Sequence, residues 1–182
     1  MLLSGLTFLI WQVLLSDVDV IWLANPFNFL VRDSDVEGMS DGWDDPTTFG
    51  WGYAGAPLGH SSRTFISAIC PGVIYHPAMI SPYLGAYRLF ARNSGMFYVT
   101  ATKEVQAMMN RLARRMETES TWDQTAYNEE QFYPAYGTHG NVGVSTRAMH
   151  WLCNMNSKTF FRFVRDDAEL LKGYRPISVH VR

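Results

Sequence analysis

A chain of 182 residues is long enough for one domain with a real core, and a hydrophobic share of 47% excludes a disordered polymer. The formal charge is −2 with no long basic run, which argues against nucleic-acid binding through a phosphate-neutralising patch. Cys70 and Cys153 allow at most one disulfide and match no zinc spacing, so two buried thiols are the simpler expectation.

The opening "MLLSGLTFLIWQVLL" lacks the basic start of a signal peptide and is too short to span a membrane. It runs without a break into "LLSDVDVIWL". The expectation is the end of a helix followed by a central parallel strand over "WQVLLSDVDVIWL", whose acidic end meets solvent. "SDVEGMS" predicts a short strand. Gly42 to Pro82 is dense in Gly, Pro, Ser and aromatics and reads as a long loop, an insertion or a lid. "GMFYVTA" is a strand by composition.

Thr102 to Glu119 predicts a helix, because Val105, Met108, Met109, Leu112 and Met116 recur on one face. "STWDQTAYNEEQF" predicts a second helix, with Thr121 as cap and Gln124 as its capping-box partner. "NVGVST" and "PISVHVR" read as strands, with a helical "SKTFFRFVRDDAELLKG" between them. Strands alternating with helices predict an α/β fold.

Two Asp-x-Asp triplets invite a metal reading. Asp17 and Asp19 close an apolar strand, where side chains two apart point the same way and where open α/β sheets bind ligands. Two carboxylates so placed repel each other unless a cation joins them, and hard oxygen ligands suit Mg²⁺ or Mn²⁺. The second triplet belongs to a run in which Asp33, Asp35, Glu37, Gly38, Asp41 and Asp44 match positions of a calcium loop. It ends in Asp where the loop needs a bidentate Glu, has Ser40 where a hydrophobe belongs, and lacks flanking amphipathic helices. A solvated acidic turn and strand is the better reading.

The blocks "LLSDVDVIWLANPF", "DSDVEGMSDGWDD", "RLFARNSGMFYVTAT", "WDQTAYNEEQFYP", "MNSKTFFRFVRDDAEL" and "PISVHV", in that order, resemble the nucleotide-diphospho-sugar transferase domain of glycosyltransferase family 77. This family includes plant and algal arabinosyl- and xylosyltransferases of cell-wall glycoproteins and pectin. The resemblance implies a GT-A-like (Rossmann-like) mixed sheet flanked by helices, spread over residues 1–182 as a single partial domain. It also implies retaining transfer of a sugar, a pentose such as arabinose or xylose, from a UDP-sugar to a glycoprotein or polysaccharide acceptor.

By the same resemblance, Asp17, Asp19 and His180 become the ligands of Mn²⁺ (or Mg²⁺). Asn93, Ser94, Gly95 and Gln124 lie near the donor sugar, and Asp123 is the catalytic candidate. A neutral imidazole is a sound ligand for such an ion, and a cation offsets charge growing on a UDP leaving group. A helix-start Asp also serves as a plain dipole partner, a strand His as a solvent-facing residue, and Asn-Ser-Gly as a turn.

Residues 54–81 depart from the family pattern and read as a loop or insertion. In such folds the strands before the metal motif hold the base and ribose, and sixteen residues precede Asp17 here. Much of the UDP pocket and a Golgi membrane anchor, the mark of a lumenal type II protein, are therefore expected to be missing, leaving a weak enzyme. Two rival readings stand beside this one. In a haloacid-dehalogenase-like phosphatase using Mg²⁺, Asp17 is nucleophile and Asp19 acid/base, with Ser94 or Thr100, Lys158 and Asp166-Asp167 filling later motifs. The other rival is a non-catalytic transferase-like domain.

Overall fold

The computed structural model describes residues 11–44, 47–48, 91–132, 143–169 and 176–181. Residues 54–81 and Cys70 lie outside these, as does the helix end expected before Trp11. Among the described residues two mixed sheets form. The first has the order β1 (Val13–Ser16), β4 (Arg92–Val99), β3 (Val36–Ser40), β5 (Thr146–Ala148). The second has the order β2 (Val20–Trp22), β7 (Ser178–His180), β6 (Asn154–Asn156). β4 runs antiparallel to β1 and β3, while β5 runs parallel to β3. In the second sheet β7 is antiparallel to β2 and parallel to β6.

The first apolar run is therefore not one central parallel strand. It splits at the acidic triplet into β1 and β2, which lie in different sheets, β1 antiparallel to β4 and β2 antiparallel to β7. Two carboxylates cannot continue into a core without partners, so the chain turns there, with Val20 N donating to Asp17 O. β1 reads as a continuous apolar run because both its faces meet cores. Val13 and Leu15 pack on the helix side, Leu14 on the other.

β4 organises the first sheet. Its alternate residues Phe97 and Val99 face helices α1 (Lys103–Thr118) and α2 (Asp123–Phe132), in one cluster with Val105, Met108, Met109, Leu112, Ala126 and Tyr127. Met96 points to the opposite face, onto Val20, Met39 and Met149. The expected stripe of α1 is buried through Leu112, but Met116 is exposed, since the helix has passed the sheet by its last turn. Thr102 caps α1, its Oγ1 accepting from Val105 N. Phe97 and Tyr127 stack with centroids 4.4 Å apart.

The expected strand at "SDVEGMS" is present, and all five residues of β3 are buried. Glu37 enters the interior because Val31 N and Arg32 N donate to its carboxylate. Arg32 has φ 60, the left-handed turn that aims both amides at one anion. Burial still pushes the Glu37 pKa up. The second acidic triplet is spent on scaffold bonds. Asp33 accepts from Arg147 Nε at 2.7 Å, and Asp35 accepts from Ser145 N, Ser145 Oγ and Thr102 Oγ1.

Three further expectations change. Trp122, not Thr121, holds the cap position of α2, its carbonyl bonding Ala126 N, and Gln124 leaves the capping box for a tertiary partner. The predicted helix after Asn156 is one α-turn, Ser157–Thr159, widening into a π-turn, Phe160–Val164. Its aromatic and β-branched "FFRFV" is a poor helix former, and Asp166 and Asp167 fall beyond it. Of the strand expected over "NVGVST", residues 141–142 lie outside the described residues, 143–145 are not strand, and Thr146 opens β5, Thr146–Ala148; β6 is too short for its period to show.

Candidate active site

The turn Asp17–Val20 joins the two sheets, and its backbone is tied at both ends. Asp17 N donates to Gly95 O of β4 at 2.7 Å, and Val181 N donates to Asp19 O at 3.2 Å. Val18 points outward, fully exposed, so the flanking carboxylates turn back toward the sheets. Across from them stands His180, the last residue of β7, which pairs in register with Val20.

Asp17, Asp19 and His180 each offer a ligand atom, and these atoms lie within 4.8 Å of one another. No other group of three or more His, Cys, Asp or Glu side chains placed to hold a metal occurs among the described residues. His180 Nε2 is 3.2 Å from Asp19 Oδ1 and 4.0 Å from Asp17 Oδ2. Neither contact has hydrogen-bond geometry, so Nε2 is a buried nitrogen without a hydrogen-bond partner. Two ligands at right angles on a small divalent ion sit about 3 Å apart, so the Asp19–His180 spacing suits a shared cation. The orphaned nitrogen and the two like charges fit the same ion.

Gly95 makes room for the imidazole. A Cβ at that position would lie 2.4 Å from His180 Cε1 and 2.7 Å from Nδ1. Asn93, Ser94 and Gly95 are strand, not the plain turn that is one reading of their sequence. Asn93 Oδ1 accepts from Gly95 N at 2.8 Å, and its Nδ2 donates to Asp41 Oδ1 at 2.7 Å. Gln124 Nε2 donates to the other Asp41 oxygen at 2.6 Å, and its Oε1 accepts from Ser94 N. The start of α2 is thus bound to β4, and Asn128 strengthens the join by bonding both Arg92 N and Arg92 O. Asp123 is exposed beside Gln124. Its Oδ1 accepts from Gln124 N at 2.7 Å, and it has no cation partner among the described residues.

Sequence reasoning misses two residues here. Asp41 appears there only as a calcium-loop position, although it directly follows β3, where the strand-end rule would have pointed. Asn156 gives no signal in the sequence, yet it is buried beside His180 in register, and its Nδ2 donates to Ser40 O and Gly42 O on either side of Asp41. Of the residues a phosphatase would need, Ser94 lies at the site, but Lys158, Asp166 and Asp167 have partners outside it. Lys158 Nζ lies over the Trp43 ring, Asp166 pairs with Arg165, and Asp167 accepts from Glu169 N.

Two carboxylates and an imidazole beyond the strand ends of a mixed α/β scaffold match the donor set of a hard-cation site of the kind that serves phosphorylated ligands. The chain belongs to the nucleotide-diphospho-sugar transferase family, whose profile matches residues 2–182. It is 36% identical over 172 residues to Arabinosyltransferase RRA2 of Arabidopsis thaliana, covering 94% of this chain and 36% of that protein. To Arabinosyltransferase RRA1 of the same plant it is 34% identical, covering 94% of this chain and 38% of the relative. The chain thus spans little more than a third of the length of these relatives. No solved structure matches it. Among the described residues no helix is long and apolar enough to cross a membrane.

Proposed function

We propose that the chain is the donor-site part of a GT-A-type glycosyltransferase. It would transfer a sugar with retention from a UDP-sugar to a glycoprotein or polysaccharide acceptor. The observation that carries this reading is the convergence of Asp17, Asp19 and a buried His180 Nε2 without a hydrogen-bond partner in a member of the nucleotide-diphospho-sugar transferase family. The relatives' names favour an arabinosyl donor, with xylose the next candidate. Such a protein works in the Golgi lumen, anchored by a membrane segment.

Asp17, Asp19 and His180 would hold Mn²⁺ or Mg²⁺, and the bound ion would supply positive charge at the leaving diphosphate. The chain's own groups do the rest. Gly95 keeps β4 flat against the imidazole, so the sugar end of the donor meets backbone rather than a side chain. Asn93 and Gln124, their amides held by Asp41 and by the Gly95 and Ser94 N–H groups, would shape the wall beside the sugar. Asp123, exposed at the start of α2, is the carboxylate free to face the anomeric carbon, as nucleophile or as a stabiliser of positive charge there.

The test is UDP binding by calorimetry, with and without Mn²⁺, on this chain and on the Asp17→Asn/Asp19→Asn variant. The reading expects binding that requires Mn²⁺ and is lost in the variant. Binding that ignores the ion, or survives in the variant, would overturn it. The anomeric configuration of the transfer product, read by NMR, tests retention.

A further inference from the structure

We propose that Asp41 is a positioning residue for the cation ligands, acting through the amides of Asn93 and Gln124. This rests on the cation reading above, and it concerns a residue outside the ligand set. Asp41 follows β3, and its two oxygens each accept one amide hydrogen, from Asn93 Nδ2 and from Gln124 Nε2. An ionised carboxylate only accepts, so it dictates the orientation of both amides. With its NH₂ committed to Asp41, Asn93 must turn its oxygen to Gly95 N. Gln124 must turn its oxygen to Ser94 N.

Those two consecutive backbone amides lead directly into Gly95, the part of β4 that builds the site. Gly95 O receives Asp17 N, and the Gly95 Cα faces the His180 ring. A carboxylate outside the ligand set thereby sets the position of both ends of that set. An Asn or Gln amide flips at little intrinsic cost, so something must choose its orientation, and here Asp41 does.

The pattern makes a sharp variant possible. Asp41→Asn keeps size and shape but adds a donor. The NH₂ introduced at position 41 then meets the NH₂ of Asn93 or Gln124. Flipping that amide only moves the donor–donor conflict to Gly95 N or Ser94 N. Adding Asn93→Asp removes the conflict, because the new carboxylate accepts both from Gly95 N and from the amide introduced at position 41. Asp41→Asn with Gln124→Glu is the second compensating pair, by the same logic.

The experiment measures Mn²⁺ affinity by electron paramagnetic resonance of the free ion, and the Gly95 amide resonance by ¹⁵N NMR, on the 182-residue chain. Asp41→Asn should weaken Mn²⁺ binding by up to about tenfold, the low end for groups bonded directly to a ligand because Asp41 acts one residue further out, and shift the Gly95 resonance. Both double variants should restore affinity to within about twofold of the parent chain. An unchanged Asp41→Asn protein overturns the proposal. So do double variants no better than the single one, which would mean that the charge at position 41 matters and not its accepting pattern. If the parent chain binds no Mn²⁺, the cation reading fails. The Gly95 resonance still decides on Asp41, supporting positioning if it shifts and is restored, and overturning it if it does not move.

Discussion

Gly95→Ala is the substitution that bears most directly on the site. The added methyl would lie 2.4 Å from His180 Cε1, 2.7 Å from Nδ1 and 2.7 Å from Asn93 Oδ1. Carbon–carbon contacts settle near about 3.5 Å, so the imidazole must retreat by roughly 1 Å. Because His180 is buried, it cannot escape into solvent. Misorienting a metal ligand costs about 10- to 100-fold in affinity, up to roughly 2.7 kcal/mol, and a displacement of about 1 Å belongs at the upper end. Mn²⁺ titration should therefore show affinity lower by about that factor.

Gly38→Ala separates this from general damage. Its methyl would meet Tyr127 Oη at 3.0 Å and Phe97 Cβ at 3.3 Å, in the helix-side core rather than at the site. That overpacking should cost about 1–3 kcal/mol in urea unfolding while leaving Mn²⁺ affinity unchanged. If Gly95→Ala binds Mn²⁺ like the parent chain, the packing argument for His180 as a ligand is wrong.

Two further outcomes test the fold. Met108→Ala should lower stability by about 2–5 kcal/mol in urea unfolding, because Met108 is fully buried, while Met116→Ala should stay within about 0.5 kcal/mol. The Arg147 hydrogen bond, aided by Ser34 and against burial, holds Asp33 below its ordinary value of 3.8. A folded pKa below the unfolded one gives stability that is present above the unfolded value and lost as pH falls through the folded value. Asp33→Asn should therefore flatten the stability curve below about pH 4, measured by urea unfolding at stepped pH. Glu37, with its pKa raised by burial, acts in the opposite sense and favours the folded state at low pH.

The sequence made some of this legible for clear physical reasons. Helix α1 announces itself because one face repeats over four turns, and β3 and β4 because their residues suit a pleated, buried surface. The nearness of Asp17 to Asp19 is local and can be read directly. The split of the first run between two sheets is not legible, because β1 is apolar on both faces and mimics a central strand. His180 looks like any strand histidine until β7 pairs with β2, so its place beside Asp17 and Asp19 came only through the family resemblance. The bonds from Asp41 to Asn93 and Gln124 join segments far apart in sequence, and no local pattern encodes them.

The Asp17–Val20 turn is the point where the chain leaves one sheet for the other, and His180 belongs to the second sheet. An ion shared by these side chains would act as a rivet between two layers of the protein, not only as a charge at a reaction centre. Its binding energy would add to the cohesion of the layers, about 2.7 kcal/mol when the free ion exceeds its dissociation constant about a hundredfold. Loading the site and stiffening the sheet junction would then be one event, and cation supply would tune the mechanics of the fold as well as its chemistry.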